Sequence, residues 1–222
     1  MPNIKEVVSR IQSVTATQQI TKAMKMVAAA RLNKVQQQVL TMRPYAAKLS
    51  AILDNVTAST SKHFAQQYVE DRPVAKCLLV VMSSDRGLCG SSNANVFKKA
   101  LSYLQQAGYT TPSPQVDLLP IGKKAQAFFA KRNFQLVDDH VALSHHLSFE
   151  HVGPVAATLT AAFLQRTYDR IVIVYNAFHS AAAQLPQALQ WLPIVSTRPQ
   201  ASHTDATKDY INEPTRADLL EA

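Results

Sequence analysis

Between Ile4 and Met42 the chain carries a seam: Ile4, Val7, Ile11, Val14, Gln18, Thr21, Lys25, Ala28, Leu32, Val35, Val39 and Met42. The steps alternate three and four residues. On an α-helix that alternation gathers every member into one narrow stripe, the stripe along which one helix winds around another. Asn3 to about Asn55 therefore reads as a single long helix. It contains no Gly, and Pro44 is its one interior breaker. At about 1.5 Å per residue, Asn3 to Arg43 spans roughly 60 Å. A compact domain of this size is only on the order of 35 Å across. Such a rod must project or lie along a partner.

The seam is apolar at its ends (Ile4, Val7, Ile11 and Val14, then Leu32, Val35, Val39 and Met42) and polar in the middle, at Gln18, Thr21 and Lys25. There a second stripe, Ile20, Met24 and Val27, takes over on a different face. Ala28, Ala29 and Ala30 follow as a smooth surface that admits a close backbone. A helix apolar on several faces is normally surrounded by protein. Within the first fifty residues this one also carries Lys5, Arg10, Lys22, Lys25, Arg31, Lys34, Arg43 and Lys48 against a single acid, Glu6. The formal charge of the chain is +8, and nearly all of it sits on the rod.

The remainder reads as a globular domain. At 222 residues there is room for one ordinary domain and an extension, or for two small domains. The 47% apolar share suits a packed core. No apolar run approaches the ~18–20 residues of a membrane span. Cys77 and Cys89 sit in no CxxC or Cys/His pattern, which argues against a zinc site or a disulfide scaffold and for a reducing compartment. The basic start is not read as a presequence, because the heptad begins at Ile4 and runs on unbroken.

Strand-like and helix-like stretches alternate after residue 75. Lys76–Met82 is a continuous apolar run, buried on both faces as in a parallel sheet. A loop, SSDRGLCGSSN (Ser83–Asn93), leads into a helix over Ala94–Gln106. Val116–Ile121 is a strand, Lys123–Lys131 a helix, Phe134–Val137 a short strand and Ser148–Tyr168 a helix. Arg170–Tyr175 is the strongest strand, and Leu189–Val195, broken by Pro193, is placed at an edge. The fold class that follows is α/β: a long N-terminal coiled-coil helix plus a doubly wound, mainly parallel, Rossmann-like sheet. The domain boundaries are 1–57 for the shaft helix, 58–75 for a linker, 76–197 for the α/β domain and 198–222 for a return segment. In that last segment Pro214, Thr215 and Asp218 open a helix, and the sequence stops at Ala222 barely two turns later, as though inside an element.

Chemistry-bearing candidates are few. The loop after the first strand stands where doubly wound folds hold phosphates, but it lacks GxGxxG and GxxxxGK[ST] spacing. No His can be placed against Cys89, so a buried, inert thiol is expected. His140, His145, His146 and His151 with Glu150 cluster in sequence, but His145 and His146 cannot point the same way on a regular element. No catalytic set stands out, and no cofactor or metal is expected. The basic rod lacks the dense Arg/Lys face of a DNA-reading helix. It reads either as a solvated charged face or as a shaft turning in an acidic protein sleeve, where mobile charge attraction does not require fixed pairs.

TQQITKAMKMVAAARL (Thr17–Leu32) resembles the most characteristic stretch of the gamma subunit of F-type ATP synthases. SSDRGLCGSSN resembles that family's SDRGLCG segment. MRPYAAKL (Met42–Leu49), YNAFHS (Tyr175–Ser180) and YINEP (Tyr210–Pro214) match in order. The resemblance covers essentially the whole chain and is of the bacterial type. It implies a non-catalytic central rotor shaft in a proton-translocating complex. The N- and C-terminal helices of that family form an antiparallel coiled coil inside a hexamer of alpha and beta subunits. The α/β domain stands beside epsilon on the membrane-embedded c ring. By resemblance, Lys22, Met24, Lys25, Met26 and Arg31 meet the acidic levers of the beta subunits, and Tyr210, Asn212 and Glu213 lie near the c ring and epsilon. The location implied is peripheral, on the cytoplasmic face of the bacterial plasma membrane. The family's long C-terminal helix is missing from this sequence. The alternative of a different class is a coiled-coil adaptor or DNA-binding dimer with an inactive Rossmann-like domain.

Overall fold

The computed structural model of the protein describes residues 3–59, 67–70, 72–110, 112–137, 140–141, 143, 147–180 and 183–195, with side chains to residue 53 in the first span. The chain divides into two units, Met1–Ser59 and Thr60–Ala222.

The first unit is one helix, α1 (Ile4–Ser59), of 56 residues. Asn3 opens it: its carbonyl accepts the Glu6 and Val7 N–H groups at 2.8 and 3.1 Å. Glu6 in the first turn suits the positive end of the helix dipole. Thr15, Thr17, Thr21 and Thr41 each return their hydroxyl to a carbonyl one turn back, at 2.8 to 3.0 Å. Those hydroxyls are spent within the helix, so Thr21 offers the seam mainly its methyl group. Pro44 does not end the helix. It removes one N–H bond, and the helix formers Ala46, Ala47, Leu49 and Ala51 carry the run onward past the expected end at Asn55.

The second unit is built on a five-stranded sheet. Its elements are β1 (Cys77–Met82), α2 (Ser92–Gln106), β2 (Val116–Ile121), α3 (Lys123–Ala130), β3 (Gln135–Leu136), α4 (Phe149–Leu164), β4 (Arg170–Phe178) and β5 (Gln184–Leu192). The strand order is β3-β2-β1-β4-β5. The first four run parallel, and β5 returns antiparallel to β4. Period-two alternation sorts β1 onto two faces. Cys77, Leu79 and Val81 pack with Val96, Phe97, Ala100 and Leu104 of α2 and with Ala125 and Phe129 of α3. Leu78 and Val80 pack with Phe163 of α4, Tyr168 and Leu192. Helices thus cover both faces, which is what the uninterrupted apolar runs in β1 and β4 require.

In the α/β unit the largest differences from the sequence reading lie in its last three elements. The fourth helix ends at Leu164 rather than Tyr168 because Arg166 turns into the left-handed region (φ 61°) and Thr167 N–H closes on Ala162 O at 2.9 Å. β4 runs three residues past Tyr175, to Phe178, because β5 pairs with it down to Gln184. β5 is an edge strand as expected, but it occupies Gln184–Leu192 and stops before Pro193. Its glutamines hid it, because they break the apolar run that marks a buried strand.

Candidate functional site

The side chains singled out on α1 are on one stretch but not on one face. At about 100° per residue, Lys22 and Met26 lie roughly 40° apart on one side. Met24 and Arg31 lie about 20° apart on another, in the stripe of Ile20 and Val27. Lys25 is in the seam itself. Ile20, Met24, Met26 and Val27 are all more than half exposed, at 62%, 52%, 60% and 55%. The three cations are exposed too. The stretch therefore presents a different chemistry in each direction: basic with a thioether, apolar ending in a guanidinium, and a polar seam. In the seam, Ile4, Val7, Ile11, Val14, Leu32, Val35 and Met42 are exposed, and only Val39 of that set is half-buried. Arg10 pairs with Glu6 one turn away, at 3.2 Å, in the open. Tyr210, Asn212 and Glu213 lie outside the described residues.

The second candidate region is the crevice at the carboxyl ends of β1 and β4, where the strand order reverses. Here side chains from the two strand ends bond to one another. Asn176, at the end of β4, donates Nδ2–H to Ser92 O at 3.0 Å and Ser92 Oγ at 2.6 Å. Ser92 Oγ donates in turn to Gln184 Oε1 at 3.2 Å. Two of the quoted motifs, SSDRGLCGSSN and YNAFHS, are thus bonded to each other. At the start of α3 the first-turn amides are taken as well. Lys123 N–H meets Asp85 Oδ1 at 3.0 Å, and Ala125 N–H meets Ser83 Oγ at 2.8 Å. An anion arriving at that helix end would face the Asp85 carboxylate. The loop is also fixed from within, by Ser84 N–H to Asn93 Oδ1 at 3.1 Å and Asn93 Nδ2–H to Ser84 Oγ at 2.8 Å. It lifts Leu88 to its apex, 95% exposed and with φ 61°. An apolar side chain in that position suits contact with another protein. Sequence reading passed over Leu88, Asn176 and Gln184. The available signal was the concentration of Ser and Asn at two strand ends that a parallel sheet brings together.

Cys89 is half-buried rather than buried, and its Sγ lies 3.1 Å from Asn93 Nδ2. Cys77 is fully buried, and burial pushes its thiol up to about 11, against a smaller opposing pull from Arg170. Among the described residues no hydrogen bond joins either thiol to a histidine. His151 Nδ1 lies 2.6 Å from Ser148 Oγ at the start of α4, and His140 is half-buried. His145 and His146 lie outside the described residues. Among the described residues no group of three or more His, Cys, Asp or Glu could hold a metal ion.

A family model described as ATP synthase matches residues 3–222. The chain is 49% identical over 221 residues to the ATP synthase gamma chain of Amoebophilus asiaticus, covering 100% of this chain and 75% of that protein. It is 40% identical over 220 residues to the ATP synthase gamma chain of Flavobacterium johnsoniae, covering 99% and 74%. In fold it is similar to a chain of the central stalk and c-ring structure of Tetrahymena thermophila mitochondrial ATP synthase. The TM-score is 0.55 at 23% identity, covering 78% of this chain and 72% of that one.

Proposed function

The chain belongs to the ATP synthase gamma-chain family, and from that membership we propose that it works as the central rotor shaft of an F-type ATP synthase. The observation that carries this is the identity to gamma chains along the whole of its length. The mechanism follows from the surface of α1. A partner fixed beside the rod meets Lys22 and Met26 at one angle and the stripe of Met24 and Val27 at another. The interaction energy therefore depends on angle. Three equivalent catalytic sites around such a rod cannot all be in the same state. Differences of about 1–3 kcal/mol between angles change affinity by roughly one to two decades, which is a coupling free energy between rotation and nucleotide binding. Mobile cations facing acidic levers suit a contact that must be remade at each step, because no single pair has to be held.

In this reading the alpha and beta subunits surround α1. A second helix covers the apolar ends of the seam. The α/β unit stands with epsilon on the c ring, with Tyr210, Asn212 and Glu213 near that contact, and protons are the coupling ion. The chain itself makes and breaks no covalent bond. Among the described residues no helix is long and apolar enough to cross a membrane. Attachment at the cytoplasmic face of the plasma membrane would come through the complex.

The test is co-expression with the alpha and beta subunits of the same source. A particle holding one copy of this chain per three alpha–beta pairs, with ATPase activity absent from the chain alone, is expected. A stable homodimer that ignores alpha and beta would overturn the reading and favour the adaptor.

A further inference from the structure

Beyond α1 the chain is nearly neutral in sum, but its charges are sorted. From Arg86 to Val137 the only acid is Asp117, which is buried and paired with Lys76 Nζ at 2.7 Å. Over the same residues α2 carries Lys98 and Lys99, α3 opens with Lys123 and Lys124, and Lys131 and Arg132 follow its end. The two helices lie side by side on one face of the sheet. They share the core around Leu79 and Val81, and the Phe97 ring stacks on Phe128 with centroids 4.3 Å apart. The buried positions fix where the lysines stand. Val96, Phe97, Ala100 and Leu104 face inward from α2, and Ala125 and Phe129 from α3. At about 100° per residue, Lys98, Lys99, Lys123 and Lys124 lie roughly 115–145° round from those positions, on the outer side of the layer. Lys99 is half-buried, and the other five cations are exposed. None of the six is in an ion pair among the described residues. Asp85 stands at the rim, where its Oδ1 accepts Lys123 N–H at 3.0 Å.

What the layer lacks decides its partner. Among the described residues, no large apolar side chain between Leu88 and Leu147 is exposed. A protein interface needs an apolar or aromatic centre, and this face offers none. A single-stranded nucleic acid needs aromatic faces on which bases stack. Phe97 is buried, and Arg132 covers Phe128, with its guanidinium 3.6 Å from the ring centre. Five of the six cations are lysines. An ammonium is a point charge on a flexible stem, without the fork by which arginine grips one shaped anion. That suits a fluid array of phosphate headgroups, in which no single pair is held.

We propose that the outer face of α2 and α3 is an electrostatic contact for a bilayer surface that bears anionic headgroups. The choice of a bilayer rests on the rotor-shaft reading, in which the complex stands at a membrane. The attraction fades within a Debye length, about 8 Å at physiological salt. With no apolar side chain to insert, the layer is drawn to the surface without being anchored in it, and it can slide.

The experiment floats the chain with vesicles of equal parts phosphatidylcholine and phosphatidylglycerol, and with vesicles of phosphatidylcholine alone. Binding to the first, weakened by raised salt, and none to the second is expected. With Lys98→Gln, Lys99→Gln, Lys123→Gln and Lys124→Gln combined, affinity should fall about a hundredfold or more, since each lysine near an anionic surface contributes about fivefold. The same four positions changed to Arg should bind like the unmodified chain, because the contact uses charge and not a fork. Lys5→Gln, Arg10→Gln, Lys34→Gln and Lys48→Gln combined remove equal charge from α1 and should cost less than about tenfold. Undiminished binding in the α2–α3 variant, an equal or larger loss in the α1 variant, or equal binding to uncharged vesicles overturns the proposal. Tighter binding to a DNA duplex than to the anionic vesicles overturns it in favour of nucleic acid. Should the combined variant fail to fold, Lys98→Gln and Lys124→Gln singly decide, at about fivefold each, and no loss in either overturns the proposal. The chain is used without alpha and beta subunits, so failure here and failure of the rotor reading are seen in separate measurements.

Discussion

Single residues in the α/β unit report on how tightly its parts are fitted. Gly122 sits at φ 97°, and a Cβ there would overlap the Ser83 carbonyl and lie 2.8 Å from Ser83 Oγ, the atom that holds the Ala125 amide. Gly122→Ala should cost about 3 kcal/mol or more, from backbone strain and a displaced loop together. A shift of the urea midpoint measures it, and a shift within error would show that the loop yields freely. Cys77 gives a pH signature. Burial raises its thiol from the ordinary 9.0 to about 11. Below pH 9 both folded and unfolded chains keep the proton, so the residue has no effect on pH dependence. Above it the unfolded chain loses the proton first, so stability falls as pH rises towards 11. The rise from 9.0 to about 11 corresponds to roughly 2–3 kcal/mol. Burial raises Tyr103 in the same direction. Unfolding curves from pH 8 to 11 should show a smaller alkaline loss in Cys77→Ala. Equal losses in both chains would remove Cys77 as the cause.

The elements differ in what sustains them. β1 and β4 are closed on both sides by pairing and on both faces by helices, whereas α1 is sustained by bonds within itself. Its apolar positions each forgo roughly 1.5–3 kcal/mol of burial while uncovered. Hydrogen exchange on the isolated, monomeric chain should therefore protect residues 77–82 and 170–178 strongly and residues 4–42 weakly. Strong protection of 4–42 in a proven monomer would mean that the helix already has a partner face. Pro44→Ala restores a backbone donor in the interior of α1, and circular dichroism on heating should show its melting shift upward. The gain is bounded by the ~3 kcal/mol that proline costs in a helix interior. The same contrast explains what could be read from the sequence. The heptad and the apolar runs of β1 and β4 are dictated by local periodicity, so the rod and the central strands were legible. β5 was misplaced because a strand rich in Gln, exposed along much of its length, carries no such run. The hold of Asp169 on residues 75 and 76 joins positions more than ninety apart in the chain, and no local pattern marks it.

At the scale of the molecule, a fold that often holds nucleotides here ties the two ends of its crevice together. Asn176 and Gln184 bond to Ser92 across the crevice, and Asp85 and Ser83 take first-turn amides of α3 beside it. The purified chain should show no binding of ATP at micromolar concentration by calorimetry, and a saturable isotherm would contradict this. The missing phosphate motif was visible in the sequence, whereas the bonds across the crevice were not, because they depend on two strand ends meeting. The local character of α1 has one more consequence, in time. Every helical bond in it joins residues within one turn, so it can form while the chain is still being made. It leaves the ribosome before any strand of the sheet. At about 5–20 residues per second, the rest of the 222 residues take on the order of ten to thirty seconds. For that interval an apolar-seamed rod is present with no sheet behind it. The cell must shield it with a chaperone or supply its sleeve promptly, and the yield of assembled complex should rise when partner subunits are already waiting.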